Sequence, residues 1–106
     1  MTGTAYSESG RPLAGMTITI STPNEERTLV TEADGTYDTF LQYMAEDEMA
    51  FTFSSEEHGV SSRWTFDEIP HDTAMIINRW DQEGSQMRPS TTDFLDKDGD
   101  SLKGDE

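Results

Sequence analysis

The sequence predicts an all-β protein, a β-sandwich of about seven short strands followed by a disordered acidic tail. Apolar and polar residues alternate in short runs, which is the pattern of strands with one buried face. Turn residues separate these runs at close spacing, and no stretch has a convincing helical period. The seven runs cover residues 3–7, 13–22, 27–33, 36–43, 49–55, 60–66 and 73–80.

The first two runs are separated by a turn at residues 8–10. In the second run, Ile18 and Ile20 alternate with threonines, so that one face of the strand is apolar. Pro12 comes just before the run, where its missing N–H does little harm, and Pro23 ends it. This segment is therefore predicted to be a half-buried strand.

The third and fourth runs flank the pair Asp34-Gly35. A two-residue β-hairpin favours turns with positive φ at the central positions, and Asp-Gly adopts these at little cost. The pair is therefore predicted to be the tip of a β-hairpin that joins the two runs.

The last three runs carry five of the ten aromatic residues. Phe51 and Phe53 share one face of the fifth run, and Trp64 and Phe66 share one face of the sixth. The seventh run is apolar on both faces at residues 75–77, which fits a central strand and leaves its register open.

The composition changes near residue 80. Residues 81–106 contain few apolar side chains, no regular period and many Asp, Gly and Ser residues. Such a segment cannot bury enough surface to offset the entropy of ordering it. The sequence thus predicts a domain over residues 1–80 and a flexible acidic tail or linker over residues 81–106.

The charge balance excludes several classes of partner. The chain has 22 acidic and 7 basic residues, a net charge of −15, of which −10 falls in residues 1–80. Nucleic acids and anionic membrane surfaces both require clustered Lys and Arg. Few lysines and many carboxylates are also typical of proteins from salt-loving organisms, because molar salt shortens the Debye length to about 3 Å. An ordinary acidic surface module is the alternative.

Other sequence features leave the compartment open. There are no cysteines, so disulfides and thiolate metal sites are excluded. No apolar run is long enough to span a bilayer, and the first residues lack the basic start and apolar stretch of a signal peptide.

The turn and core residues of about the first 60 positions resemble the carboxypeptidase-regulatory-like and collagen-adhesin-B-like modules. The resemblance runs through "GTAYSESGRPLAGMTITI", "TEADGTYDTF" and "MAFTFSSEEHGV". The chain departs from the pattern where Phe40 and Leu41 are adjacent, which indicates a bulge or a change of register, and where Val60 replaces an aromatic residue. The matching positions are Gly3, Gly10, Pro12, Leu13, Gly15, Ile18, Ile20, Thr31, Gly35, Tyr37, Phe51, Phe53 and Gly59.

This resemblance implies a transthyretin-like or immunoglobulin-like sandwich and a non-enzymatic accessory role in a surface or secreted protein. It brings no shared catalytic residues and no cofactor. The hydroxyisourate hydrolases, which are enzymatic relatives of this fold, end in Tyr-Arg-Gly-Ser, whereas this chain ends at residues 103–106 in Lys-Gly-Asp-Glu. That activity is therefore not expected.

The strongest metal candidate lies in the predicted tail. Asp96, Asp98 and Asp100 alternate along the chain, and carboxylates at such spacing can converge on Ca²⁺. An EF-hand loop would have glycine at its sixth position, where this chain has Ser101, and Gly99 comes too early. A solvated acidic linker is the alternative to this calcium site.

A second group of polar residues offers a weaker metal candidate. The acidic turn 46–48 could join Glu56 and Glu57, and His58 and His71 are the only histidines. Nothing in their spacing requires convergence, so we expect solvated loop ends. No serine lies in a Gly-x-Ser-x-Gly turn, and a carboxylate pair chosen freely from 22 acids indicates no glycosidase.

Aromatic residues give the alternative of a carbohydrate- or peptide-binding domain. Trp80 lies at the boundary of the predicted tail, and Trp80 and Tyr43 are the predicted ligand contacts if they face solvent. Trp64 is in phase with Phe66, so we expect it in the core.

Overall fold

The computed structural model of the chain describes residues 1–40 and 47–99, which form two four-stranded sheets packed face to face. Sheet A has the strand order β4-β1-β7-β8, and sheet B has the order β3-β2-β5-β6. Pairing is antiparallel except between β1 and β7. The strands are β1 (Thr2–Tyr6), β2 (Thr17–Ser21), β3 (Glu26–Val30), β4 (Thr36–Asp38), β5 (Met49–Ser55), β6 (Val60–Phe66), β7 (Met75–Glu83) and β8 (Gln86–Leu95).

The predicted all-β sandwich is confirmed. Each of the seven predicted runs contains most or all of one strand, and the eighth strand lies beyond them. None of the described residues belongs to a helix that could cross a bilayer.

The prediction that the folded domain ends at residue 80 is wrong, because strands continue to residue 95. β7 continues to Glu83, and β8 returns beside it after a two-residue turn at Gly84 and Ser85. Both Met87 and Phe94 of β8 are buried in the core. The turn at residues 96–99 follows, and residues 100–106 lie outside the described residues.

A β-bulge interrupts the apolar alternation of β8, so the sequence pattern does not predict this strand. Arg79 pairs with Thr91, but Trp80 pairs with Pro89, so Ser90 is the extra residue. Seven positions separate Met87 from Phe94, an odd number that would place them on opposite faces of a regular strand. The bulge returns both to the core side.

The predicted hairpin at Asp34-Gly35 is also wrong, because β3 belongs to sheet B and β4 to sheet A. The segment is a crossover turn between the sheets. The Thr36 hydroxyl donates to Asp34 Oδ1 over 2.5 Å, and the Thr36 amide donates to the same atom over 3.1 Å. These hydrogen bonds hold the pKa of Asp34 below its ordinary value. The Asp-Gly pair thus determines a local turn, but not the sheet that the next strand joins.

Gly35 allows this turn to lie against β1. Its φ is +78°, and an added Cβ would lie 2.7 Å from the Ala5 carbonyl oxygen. That oxygen already accepts a hydrogen bond from the Leu13 amide, and the Ala5 amide donates to the Gly35 carbonyl over 2.9 Å. The position therefore requires glycine for both conformation and space.

An aromatic cluster joins the two sheets. Trp80 of β7 is fully buried. The centroid of its ring lies 5.0 Å from that of Phe51 and 4.7 Å from that of Phe53, and both phenylalanines belong to β5. Phe66 of β6 makes an edge contact with Phe94 of β8 at 6.1 Å. Aromatic pairs at these distances add about 0.5–1.5 kcal/mol each beyond the burial of their area.

Tyr37 closes the core beneath the crossover turn. Its buried hydroxyl accepts a hydrogen bond from Trp80 Nε1 over 3.0 Å and another from Asn78 Nδ2 over 3.4 Å. Its ring lies directly against Gly3, and a Cβ added to Gly3 would collide with the Tyr37 hydroxyl oxygen. Gly3 and Tyr37 are cross-strand partners, so the glycine provides the slot that the ring fills.

One side of the sandwich is partly closed by contacts between β6 and the β7–β8 hairpin. The Ser61 amide donates to the Ser85 carbonyl over 2.9 Å, and the Met87 amide donates to Ser62 Oγ over 3.0 Å. The strands β3 and β4 are the opposite edges of the two sheets.

Candidate functional site

The predicted ligand contact at Trp80 is wrong. The side chain is 0% exposed and its indole N–H is bonded to the Tyr37 hydroxyl, so it is part of the core. It lies on the inward face of β7 because the strand register pairs it with the buried Ala5 of β1, and β8 covers the other side of β7, which the predicted tail would have left open. Tyr43 lies outside the described residues. Trp64 is half-buried against the core beside Phe66, as predicted.

The predicted calcium ligands lie where β8 ends. Asp96 Oδ1 accepts a hydrogen bond from the Asp98 amide over 2.9 Å, which holds the turn. Both residues line a depression of about 420 Å³ together with Asp72, Thr73 and Lys97. Within residues 1–40 and 47–99, no three His or carboxylate side chains are arranged to hold a metal ion. Asp100 lies outside the described residues, and calcium binding stays a prediction.

The second acidic group is divided by a strand. Glu48 precedes β5 and Glu56 follows it, so at about 3.3 Å per residue they lie roughly 26 Å apart. Glu57 lies in the same turn as Glu56, and Glu46 lies outside the described residues. These side chains therefore do not form one cation site.

His58 connects the turn after β5 to neighbouring loops. Its Nε2 lies 2.8 Å from the Ala14 carbonyl oxygen, and its own carbonyl accepts a hydrogen bond from Gln82 Nε2 over 2.9 Å. His71 is exposed in the segment before β7. In the described part of the chain the two histidines belong to no common metal-binding group.

The outer face of sheet B is a regular array of hydroxyl groups that sequence reading missed. Strand register places three outward residues on each of its four strands, and eight of these twelve are Ser or Thr. We call these twelve positions the hydroxyl face: Thr17, Thr19, Ser21, Glu26, Thr28, Val30, Ala50, Thr52, Ser54, Ser61, Arg63 and Thr65.

Most hydroxyls of this face are available to a ligand. Thr19 Oγ1 and Thr28 Oγ1 lie 3.2 Å apart and form a hydrogen bond with each other. The side-chain hydroxyls of the other six form no hydrogen bond with any described residue. Neighbouring strands place these groups about 4.8 Å apart, and alternate residues of one strand place them about 6.7 Å apart.

The hydroxyl face is also nearly free of charge. Its charged residues are Glu26 at one corner and Arg63 on β6. The outer face of sheet A, by contrast, carries four carboxylates. They are Asp38, Asp81, Glu83 and Asp93. Arg79 and Arg88 also lie on that face, so its formal charge is about −2, whereas Glu26 and Arg63 cancel on the hydroxyl face.

A notch interrupts the hydroxyl face at Ala50. The side chain points outward in the strand register yet is only 3% exposed. The notch has a volume of about 210 Å³, and its rim includes Ser21, Glu48 and Arg63. Within the described residues, the Arg63 side chain forms no ion pair or hydrogen bond.

The groove on the outer face of sheet A has a different character. It has a volume of about 550 Å³ beside the bulge of β8 and contains two arginines. The guanidinium carbon of Arg79 lies 4.4 Å from the centroid of the Tyr6 ring, and its Nε lies 3.6 Å from Asp81 Oδ1. Arg88 Nε lies 3.5 Å from Glu83 Oε2. Because both cations already face carboxylates and Glu8 also lines the groove, its net charge is negative and it is not an anion site.

Alternation in "TITIS" and "FTFSS" predicts outward hydroxyls on single strands, but only the pairing of β3, β2, β5 and β6 joins them into one face. Comparison with protein-family models, with curated proteins and with solved structures finds no significant match to this chain.

Proposed function

We propose that this chain is a non-enzymatic accessory module of a surface or secreted protein, one that spaces or supports neighbouring parts and is adapted to high salt. The resemblance of its first 60 residues to carboxypeptidase-regulatory-like and collagen-adhesin-B-like modules supports this role, and so does the rigid two-sheet core. Fold alone does not determine function, so the proposal depends on where the charge lies.

The observation that carries the proposal is the placement of the carboxylates. The buried polar side chains of the described residues are Thr31, Ser55 and Asn78, so every described Asp and Glu is at least partly exposed. Such a surface repels itself at low ionic strength, and this repulsion opposes the compact state. Molar salt screens interactions between charges more than about 3 Å apart, so it removes most of this repulsion between the carboxylates of the folded chain.

Thermal unfolding of the full 106-residue chain tests the proposal under three conditions: low salt, molar KCl, and low salt with millimolar CaCl₂. We expect KCl to raise Tm strongly and calcium to add little beyond its ionic strength. A KCl effect as small as that of an isosmotic neutral solute would contradict salt adaptation.

A specific gain from calcium would favour the second candidate, a calcium-binding module. The observation in its favour is that Asp72 lines the same depression as Asp96 and Asp98, although within the described residues these three carboxylates are not grouped closely enough to hold an ion. A calcium gain that Asp98→Ala abolishes, and that Asp38→Ala on the exposed edge strand leaves intact, would replace the accessory role with this one.

A further inference from the structure

We propose that the hydroxyl face binds a neutral polysaccharide chain, with the Ala50 notch as the point where the chain is held. Binding at this face does not depend on the accessory role proposed above. It rests on three observations: a two-dimensional array of unused hydroxyls, the sparing of this face from charge, and an unpaired arginine at the rim of a notch.

The first step is the hydrogen-bonding chemistry. Each Ser or Thr hydroxyl both donates and accepts, so an array of them complements any ligand that is itself rich in hydroxyls. Thr17, Thr52 and Ser54 lie near the centre of the face and form no hydrogen bond with described residues. A sugar chain lying across β2 and β5 meets several such groups at once.

The second step is charge. A cationic ligand would prefer the carboxylate-rich remainder of the surface, and a polyanion would be repelled by the net charge of −15. The hydroxyl face carries Glu26 and Arg63, which sum to zero. Charge complementarity therefore selects an uncharged ligand for this face.

The third step excludes a protein as the occupant. Protein interfaces are enriched in aromatic residues, Met and Arg, and are depleted in Ser. The hydroxyl face has no aromatic residue or Met, and its exposed aliphatic side chain, Val30, lies on the edge strand β3. It lacks the central buried anchors that protein partners need.

The fourth step is the notch. Ala50 forms its floor, and Ser21 and Arg63 on the flanking strands supply hydroxyl and guanidinium donors. Arg63, which forms no ion pair with a described residue, can donate to ring and hydroxyl oxygens of one sugar unit. Weak contacts from the neighbouring hydroxyls add along the polymer because its units are linked.

The test is an NMR titration of the ¹⁵N-labelled full chain in molar KCl with three soluble neutral polymers: an α-glucan, a β-glucan and a galactomannan. We expect at least one polymer to shift the amides of β2, β5 and β6. Thr52→Val keeps the branched shape and removes one central hydroxyl, so it should weaken that binding roughly two- to tenfold. Thr91→Val, at a site on sheet A that is also exposed, is the matched control and should leave Kd unchanged.

Four results would overturn the proposal. They are no amide shift with any of the three polymers, shifts confined to sheet A, an equal effect of Thr52→Val and Thr91→Val, and concentration-dependent broadening of the hydroxyl face without polymer, which would make a second copy the occupant. Ala50→Gln offers an independent check, because its longer side chain fills the notch and should weaken binding without removing any hydroxyl.

Discussion

Replacing Tyr37 with phenylalanine removes one oxygen from the centre of the core while keeping the ring. That oxygen accepts hydrogen bonds from Trp80 Nε1 and Asn78 Nδ2, and all three side chains are buried. Asn78 Oδ1 already has no hydrogen-bond partner among the described residues, so the variant leaves the side-chain amide of Asn78 without any partner there. Tyr37→Phe therefore tests how much the polar network contributes to stability.

The expected loss follows from two stranded donors. A buried donor without a partner costs about 1–3 kcal/mol. The Trp80 bond, at 3.0 Å, should account for most of the loss, and the Asn78 bond, at 3.4 Å, for less because it exceeds the usual range. We therefore expect Tyr37→Phe to lower the free energy of unfolding by about 2–4 kcal/mol.

Urea-induced unfolding in molar KCl, followed by Trp fluorescence and circular dichroism, measures this loss. Tyr6→Phe is the matched control, since the Tyr6 hydroxyl bonds to no described residue and its ring can still stack under Arg79. The control should change stability by less than about 0.5 kcal/mol. If Tyr37→Phe costs no more than Tyr6→Phe, the network contributes nothing and the reasoning is refuted.

Three further predictions concern pH, the crossover turn and the C-terminal hairpin. Burial raises the pKa of Tyr37, so the folded chain keeps a proton that the unfolded chain releases near pH 10; the contribution of Tyr37 to stability should be constant below that pH and be lost above it, and urea unfolding should show a shallower alkaline fall in Tyr37→Phe. Gly35→Ala should cost about 2–4 kcal/mol in urea unfolding because of its positive φ and the fixed Ala5 oxygen, whereas Gly84→Ala, with positive φ but open space, should cost only about 1 kcal/mol; equal losses would contradict the steric reasoning. A chain ending at residue 80 loses β8, which is one of the two strands that pair with β7 and carries the buried Met87 and Phe94, so it should give no cooperative unfolding transition; a sharp transition would show that residues 1–80 form a domain.

The sequence predicted local structure better than pairing. Alternation placed β5 and β6 at their observed bounds, and the predicted run 13–22 contains all of β2 but begins four residues too early, because each of these strands has one buried face. The pair Asp34-Gly35 marked a real turn, yet nothing local distinguishes a hairpin from a crossover between sheets. That distinction depends on the strand with which β4 pairs. Tyr37 of β4 pairs with Gly3 of β1, so β4 belongs to sheet A.

The C-terminal error has a specific physical origin. The bulge at Ser90 shifts the phase of β8, so its buried residues do not recur at even spacing. The dipeptide Gly84-Ser85 was nevertheless a usable signal, since glycine at the first central position suits a two-residue hairpin turn. If this hairpin signal is given more weight than the acidic composition, the sequence predicts a domain that continues beyond residue 85 and contains Trp80.

The candidate site was harder to predict than the fold. Single strands indicate which hydroxyls face outward, but a face requires the register of four strands and the knowledge that the carboxylates lie elsewhere. Because β3 joins β2 and not β4, Thr28 becomes a neighbour of Thr19 and extends the array.

The parallel pairing of β1 with β7 determines when this protein can finish folding during synthesis. Thr2 pairs with Ile77 and Tyr6 with Asp81, so the first strand waits for a partner made about 75 residues later. Translation proceeds at about 5–20 residues per second, so a nascent chain spends several seconds with sheet A incomplete and its edges unpaired. Such distant contacts also slow refolding, since the loop must close before the strands can pair. The dense negative charge of the chain then acts before the native state exists, because it keeps incomplete chains apart while they wait for β7.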